Sequence, residues 1–299
     1  GGGSPQRETT KKKRIHDRVH GQITLPGLLV AVMDTCQFQR LRQLKQLGCV
    51  DLLFPSATHS RFEHSLGVAH LAGVFVYHLQ SEQPELDINC KDVLCVQLAG
   101  LVHDLGHGPF SHTYEQFINE LRKERDPDAP KWNHEDMSVM MLRELIRANK
   151  INLAQFGLHP TEDLNFVELL IRGLEPHLDW PEKEIGRTEE KRFLVDIVAN
   201  ARSGVDVDKL DYFIRDSVAC FGKECIDVSA SRLISGSRVI KVGGVPEVCF
   251  EEKLMLNLHD FFSLRLRLHK QVYQHHTAKV AEQMLMEALR AAEPYFRLG

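Results

Sequence analysis

No apolar run in this 299-residue chain reaches the about 20 residues that a membrane-spanning helix needs, and no secretory leader is visible. Charge of one sign is also lacking. A formal net charge of −4 offers no bulk attraction to nucleic acid or to an anionic membrane surface. The short basic cluster Lys11-Lys12-Lys13-Arg14 is the one hint of weak single-stranded nucleic acid binding or nuclear import. The seven cysteines are odd in number and match no zinc-finger spacing, so they read as free thiols in a reducing, intracellular compartment, nucleus or cytoplasm. Cys220 and Cys225 leave a redox pair open. Repeats, low-complexity tracts and a domain boundary are absent. With 43% hydrophobic and 26% charged residues, the chain reads as one ordinary globular domain. Gly1-Gly2-Gly3-Ser4 looks like a tag remnant, so residues 1–12 are set aside and 13–299 taken as the domain.

Helical periodicity fills most of that domain. It predicts helices over Leu28–Leu47, His64–Gln80, Lys91–Asp104, residues 161–175 and 189–202, and Asp206–Cys220. Another is expected from Asn133, as N-cap, to about Asn149. A charged loop is expected near Arg122–Lys131. Around Gly243-Gly244 the pattern changes to alternation, which predicts a β-hairpin over about residues 238–250. A long helix follows over about 252–293. The fold class is mainly α with one small β-hairpin.

Residues 101–112 read Leu-Val-His-Asp-Leu-Gly-His-Gly-Pro-Phe-Ser-His. His103 and Asp104 put an imidazole and a carboxylate at the end of an apolar helix, a donor pair suited to a divalent metal that activates water. The dipeptide alone is weak, since His16-Asp17 and His259-Asp260 repeat it. Neighbouring helical residues point about 100° apart, so both facing one ion requires a break. Gly106, Gly108 and Pro109 supply one. His107, His112 and His134 are candidate proton donors or phosphate contacts, and Glu115 stands one turn beyond His112 to orient it. Arg61, Lys209 and Arg265 are the candidate cations for a polyphosphate. Asp206 and Asp208 compete for one role.

A lone histidine in Arg61-Phe62-Glu63-His64-Ser65-Leu66-Gly67, the His103-Asp104 pair and an aspartate in Gly204–Tyr212 resemble the ligand set of the HD phosphohydrolase superfamily. That resemblance implies His64, His103, Asp104 and Asp208 as ligands, and favours Asp208 over Asp206. Further matches at Phe38–Arg42, Lys45–Gly48, Asp206–Asp216, Leu268-His269 and Tyr273–His275 bring the chain close to the SAM-and-HD-domain deoxynucleoside triphosphate triphosphohydrolases over about residues 13–295. The SAM domain and C-terminal lobe of that family are not expected here.

The resemblance implies cleavage of dNTPs to deoxynucleoside and triphosphate at an Fe, Zn or Mn ion, with Mg on the nucleotide. It also implies a place in dNTP catabolism and antiviral defence. His112 and His134, with His107 nearby, would assist attack and protonate the leaving oxygen. Arg61, Lys209, Tyr212 and Arg265 would hold the triphosphate. Gln46 and Asp216 would read the 3′-OH, Leu47 and Tyr273 would exclude a 2′-OH, and His269 and Gln274 would complete the pocket. Activation by GTP and dNTPs, with assembly to a dimer or tetramer, would use Lys13, Asp34, Gln39 and Arg42 at one site. A second would use Phe54, Arg232, Lys253, Asn257 and His275. The chain departs from the family pattern at His16, Glu251 and His276.

Overall fold

The structure, a computed structural model, describes residues 12–224 and 229–296. The tag remnant, Lys11 and Cys225 with its pairing to Cys220 lie outside them. Cys36, Cys49, Cys90, Cys95 and Cys249 are free thiols.

The core is a helical stack. Helix α2 (Arg61–Glu82) packs along α3 (Cys90–Val102), α6 (Glu162–Arg172) covers α3, and α7 (Val207–Phe221) crosses α2. Each start is specified locally. Ser60 and Glu63 form a capping box on α2, Asn89 and Asp92 one on α3, and Asp206 caps α7. α2 and α3 bury residues on most sides, as helices inside a core do.

Two hairpins flank the stack. The expected one is β3 (Ser237–Val242) with β4 (Val245–Phe250), turned by Gly243 and Gly244, both at positive φ. The other was not read from the sequence: β1 (Lys13–Asp17) pairs with β2 (Gly21–Leu25). Its turn depends on Asp17, whose carboxylate accepts the amides of Val19 and His20, both at 2.9 Å.

Four predicted segments are corrected. The helix expected over Leu28–Leu47 breaks into α1 (Gly27–Met33), a turn at Cys36–Gln39 and a 3-10 turn at Arg40–Gln43. Thr35 caps a new start by accepting from Phe38 N, and Lys45 leaves the helical path to bridge to Ser60. The charged loop begins only at Asp126, because α4 (His112–Arg125) buries Phe117 and Ile118 against Met286. Residues 189–202 form a 3-10 stretch, Glu189–Leu194, and a short helix, Val195–Val198. The C-terminal helix is divided into α8 (Met255–Leu268), a π-turn (His269–Tyr273) and α9 (His276–Phe296). α5 (His134–Ala148) follows the expectation, with Asn133 accepting from Asp136 N.

Gly67, one turn after His64, sets the approach of α7. A β-carbon there would overlap the Asp211 carboxylate and crowd the Arg215 guanidinium. Gly67→Ala is therefore expected to destabilise the fold by about 1–3 kcal/mol in denaturant unfolding. Unchanged stability would show that α2 and α7 do not meet this closely.

Candidate metal centre

Three helix termini aim four side chains at one point. His64 lies in the first turn of α2, Asp208 in the first turn of α7, and His103 closes α3 with Asp104 in the turn beyond. His64 Nε2 is 3.1 Å and His103 Nε2 3.3 Å from Asp208 Oδ1. Asp104 lies 3.6 Å from His64 Nε2 and 3.5 Å from His103 Nε2.

The outward nitrogens are already engaged. His64 Nδ1 meets Asp211 Oδ2 at 2.7 Å, and His103 Nδ1 meets the Gly100 carbonyl at 2.8 Å. Each Nδ1 therefore carries a proton, and each Nε2 is left to face the carboxylates, where an ion would take its lone pair. Both Nε2 atoms are buried without a hydrogen-bond partner. Two such nitrogens facing two carboxylates fit a divalent ion of the Fe, Mn or Zn type. The electrostatics agree. Burial pushes His64 down, but Asp208, Asp211 and Asp104 overcome it and drive the group up to about 10. Burial raises Asp208, yet the two histidines hold it far below the carboxylate range. An ion would take the place of the protons those carboxylates demand.

Asp206 is excluded from this point by its other duties. It accepts from Lys209 N at 3.0 Å, from Lys209 Nζ at 2.6 Å and from Asn200 N at 3.2 Å. Arg61, an expected phosphate contact, is 2% exposed, lines the cavity and braces the centre. It pairs with Asp104 and donates to Ser111 Oγ at 3.0 Å and to the Gln46 carbonyl at 3.3 Å. As the first residue of α2 it faces inward beside His64.

The other three histidines cluster alongside. His107 stacks on His134 with centroids 3.9 Å apart, and His112 stands 5.1 and 5.5 Å from them. Glu115 meets His134 Nδ1 at 2.8 Å but His112 only at 3.9 Å. Glu115 thus holds His134 more closely than the expected His112. His134 opens α5 directly over the first turn of α4, whereas the His112 side chain is 74% exposed. Burial and the Arg61 charge hold His107 well below its ordinary value, hence neutral. The loop bearing it is under strain, with Phe110 at φ 64° and Ser111 at φ 56°.

A cavity of about 670 Å³ opens over these groups. Asp104, Asp208, His107, His112 and His134 line one part, and Gln46, Leu47, Arg61, Lys209, Tyr212, Asp216, Arg265, His269, Tyr273 and Gln274 line the rest. The π-turn widens the backbone where His269 to Gln274 meet the cavity. Tyr273 donates its hydroxyl to Asp216 Oδ2 at 2.6 Å, and His59 Nε2 lies 2.6 Å from Asp216 Oδ1. Sequence reasoning missed the supporting shell: Asp211, His59, His20 and Ser111. Only Asp211 left a signal, three residues after Asp208 and so on a neighbouring helix face.

Lys13, Asp34, Gln39 and Arg42 form two contacting pairs. Lys13 donates to Asp34 at 3.2 Å, Arg42 to Gln39 at 2.7 Å, and Gln39 to the Met33 carbonyl at 2.8 Å. Among the described residues, no hydrogen bond, ion pair or ring contact joins Phe54, Lys253, Asn257 and His275 to one another. Phe54 packs on Phe221, Lys253 pairs with Glu251, and His275 accepts from Thr277 N. Arg232 lies on the short helix Ala230–Ser235.

A model of the HD domain matches residues 61–215, which contain all four proposed ligands. The chain is similar to the deoxynucleoside triphosphate triphosphohydrolase SAMHD1 of Homo sapiens, 46% identical over 96% of this chain and 45% of that protein. It is 44% identical to its counterpart in Danio rerio over 98% of this chain and 47% of that protein. The homologue in Dictyostelium discoideum is 39% identical over 96% of this chain and 51% of that protein. The chain thus spans about half the length of these relatives. No described helix is long and apolar enough to cross a membrane.

Purified protein is expected to carry about one divalent ion per chain by elemental analysis. His103→Ala and Asp208→Ala should lose it while keeping the helical circular dichroism. Asp206→Ala should keep the ion and lose about 1 kcal/mol of stability with the helix cap. Full metal content in Asp208→Ala would refute the ligand set.

Proposed function

The chain belongs to the HD-domain family, and from that premise we propose that it hydrolyses dNTPs to the deoxynucleoside and intact inorganic triphosphate. One observation carries the reading: a single cavity is bordered by the metal-site carboxylates Asp104 and Asp208, by His107, His112 and His134, by basic side chains that include Lys209 and Arg265, and by an apolar and aromatic wall with Leu47 and Tyr273. His64, His103, Asp104 and Asp208 would hold an Fe, Zn or Mn ion, which when bound supplies Lewis acidity to phosphoryl oxygen and water.

The remaining work falls to side chains. His134, held by Glu115, and His112 at the cavity are the candidates to protonate the leaving 5′ oxygen, with neutral His107 beside them. Lys209, Tyr212 and Arg265 would bind the triphosphate with its Mg. Arg61 would join them from the cavity wall while fixing Asp104. Gln46, whose side-chain oxygen is buried without a partner, and Asp216 would read the 3′-OH. Leu47 and Tyr273 would reject ribonucleotides, because the Tyr273 hydroxyl is already committed to Asp216 and leaves a 2′-OH unpartnered. The lining has no dedicated base reader, which supports broad dNTP use.

Guanine-nucleotide activation is part of the same proposal. Asp34 and Arg42 supply an acceptor and a donor for a guanine edge, beside Lys13 and Gln39. A second activator site at Phe54, Lys253, Asn257 and His275, and assembly to a dimer or tetramer, would complete it.

Each dNTP should be incubated with the protein and Mg or Mn, with and without GTP, and the products separated by ion-exchange chromatography. Deoxynucleoside plus triphosphate, with GTP increasing the rate, is expected. Release of phosphate or pyrophosphate would assign the chain to another HD chemistry. Absence of turnover by metal-loaded protein under all conditions would favour a binding role.

A further inference from the structure

The β1–β2 hairpin reaches the metal centre through one buried carboxylate. Asp211 is fully buried and has two donors on each oxygen. Oδ2 meets His64 Nδ1 at 2.7 Å and Arg215 Nε at 2.8 Å. Oδ1 meets His20 Nε2 at 2.6 Å and Arg215 Nη2 at 2.9 Å. His20 is the last residue of the hairpin turn, and Arg215 also grips Asp17 at its start, at 3.0 and 3.2 Å. Arg18, between them, pairs with Glu63 beside His64. His20 therefore ends on the partner of a metal ligand, Asp17 on the arginine that grips that partner, and Arg18 on the residue preceding the ligand.

We propose that His20 is a positioning residue of the metal centre, acting through Asp211 on His64, and that the hairpin thereby governs how tightly the ion is held. This rests on the metal reading but not on the reaction. Arg215 comes from the same helix as Asp211 and reaches α2 only through a long 3.4 Å contact to Glu63, so its hold on that carboxylate relative to α2 is weak. His20 approaches from a separate element and closes the remaining direction. Without it, Asp211 turns toward Arg215, and His64 loses the partner that fixes its tautomer and ring plane. Loss of such an outer partner typically weakens metal binding about 10- to 100-fold.

Zn²⁺ affinity measured by competition with a fluorescent chelator tests this. His20→Leu should bind Zn²⁺ about 10-fold more weakly. His20→Gln, whose amide can donate to Asp211 Oδ1, should bind within a few-fold of the parent. A general structural role would not be rescued in this way. His20→Asn, polar but too short to reach, carries the same expectation as His20→Leu if that variant does not fold. Parent-like affinity in His20→Leu or His20→Asn, or a His20→Gln variant as weak as His20→Leu, overturns the proposal. A parent protein that binds no Zn²⁺ overturns the metal centre and this proposal together.

Discussion

Two imidazole nitrogens, His64 Nε2 and His103 Nε2, are buried without a hydrogen-bond partner and face two carboxylates. The rest of the structure depends on that arrangement. Unsatisfied polar atoms in a core cost free energy, and a cation at their common focus turns the cost into binding. The opposite faces of the same rings are held by Asp211 and by the Gly100 carbonyl, so ring rotation offers no other way to satisfy the lone pairs.

The scaffold delivers these groups through helix ends rather than helix middles. α3 stops at His103, α2 and α7 present their first turns, and the break at residues 104–111 carries the chain from the ligands to the histidines of α4 and α5. Ser138 sews this break together by donating to the His103 carbonyl and accepting from Gly106 N. Gly106 is needed there because a β-carbon would run into the start of α5. Two opposed charge environments thus share one cavity: the carboxylate-rich metal side, and the side of Lys209 and Arg265.

Much of this was legible in the sequence. The helices that carry the ligands showed their apolar periods, and a cluster of His, Asp, Gly and Pro at 101–112 has few readings other than a site at a helix break. What stayed hidden was relational. Arg61 looks like a free cation until α2 turns it toward Asp104. Glu115 is one turn from His112 in sequence but bonds His134, nineteen positions away. The β1–β2 hairpin depends on Asp17 capping its own turn, a signal too short to stand out beside the helical periods. The long C-terminal helix has no proline or glycine at the π-turn to announce the break, which falls where His269 and Tyr273 line the cavity.

X-ray absorption spectroscopy on the purified protein tests the central claim most directly. The account predicts one first-row divalent ion per chain, with two histidine nitrogens at about 2.0–2.1 Å, carboxylate oxygens and no sulfur. Thiolate scattering around the ion, or protein that holds no stoichiometric ion after incubation with Fe, Mn or Zn, would contradict it.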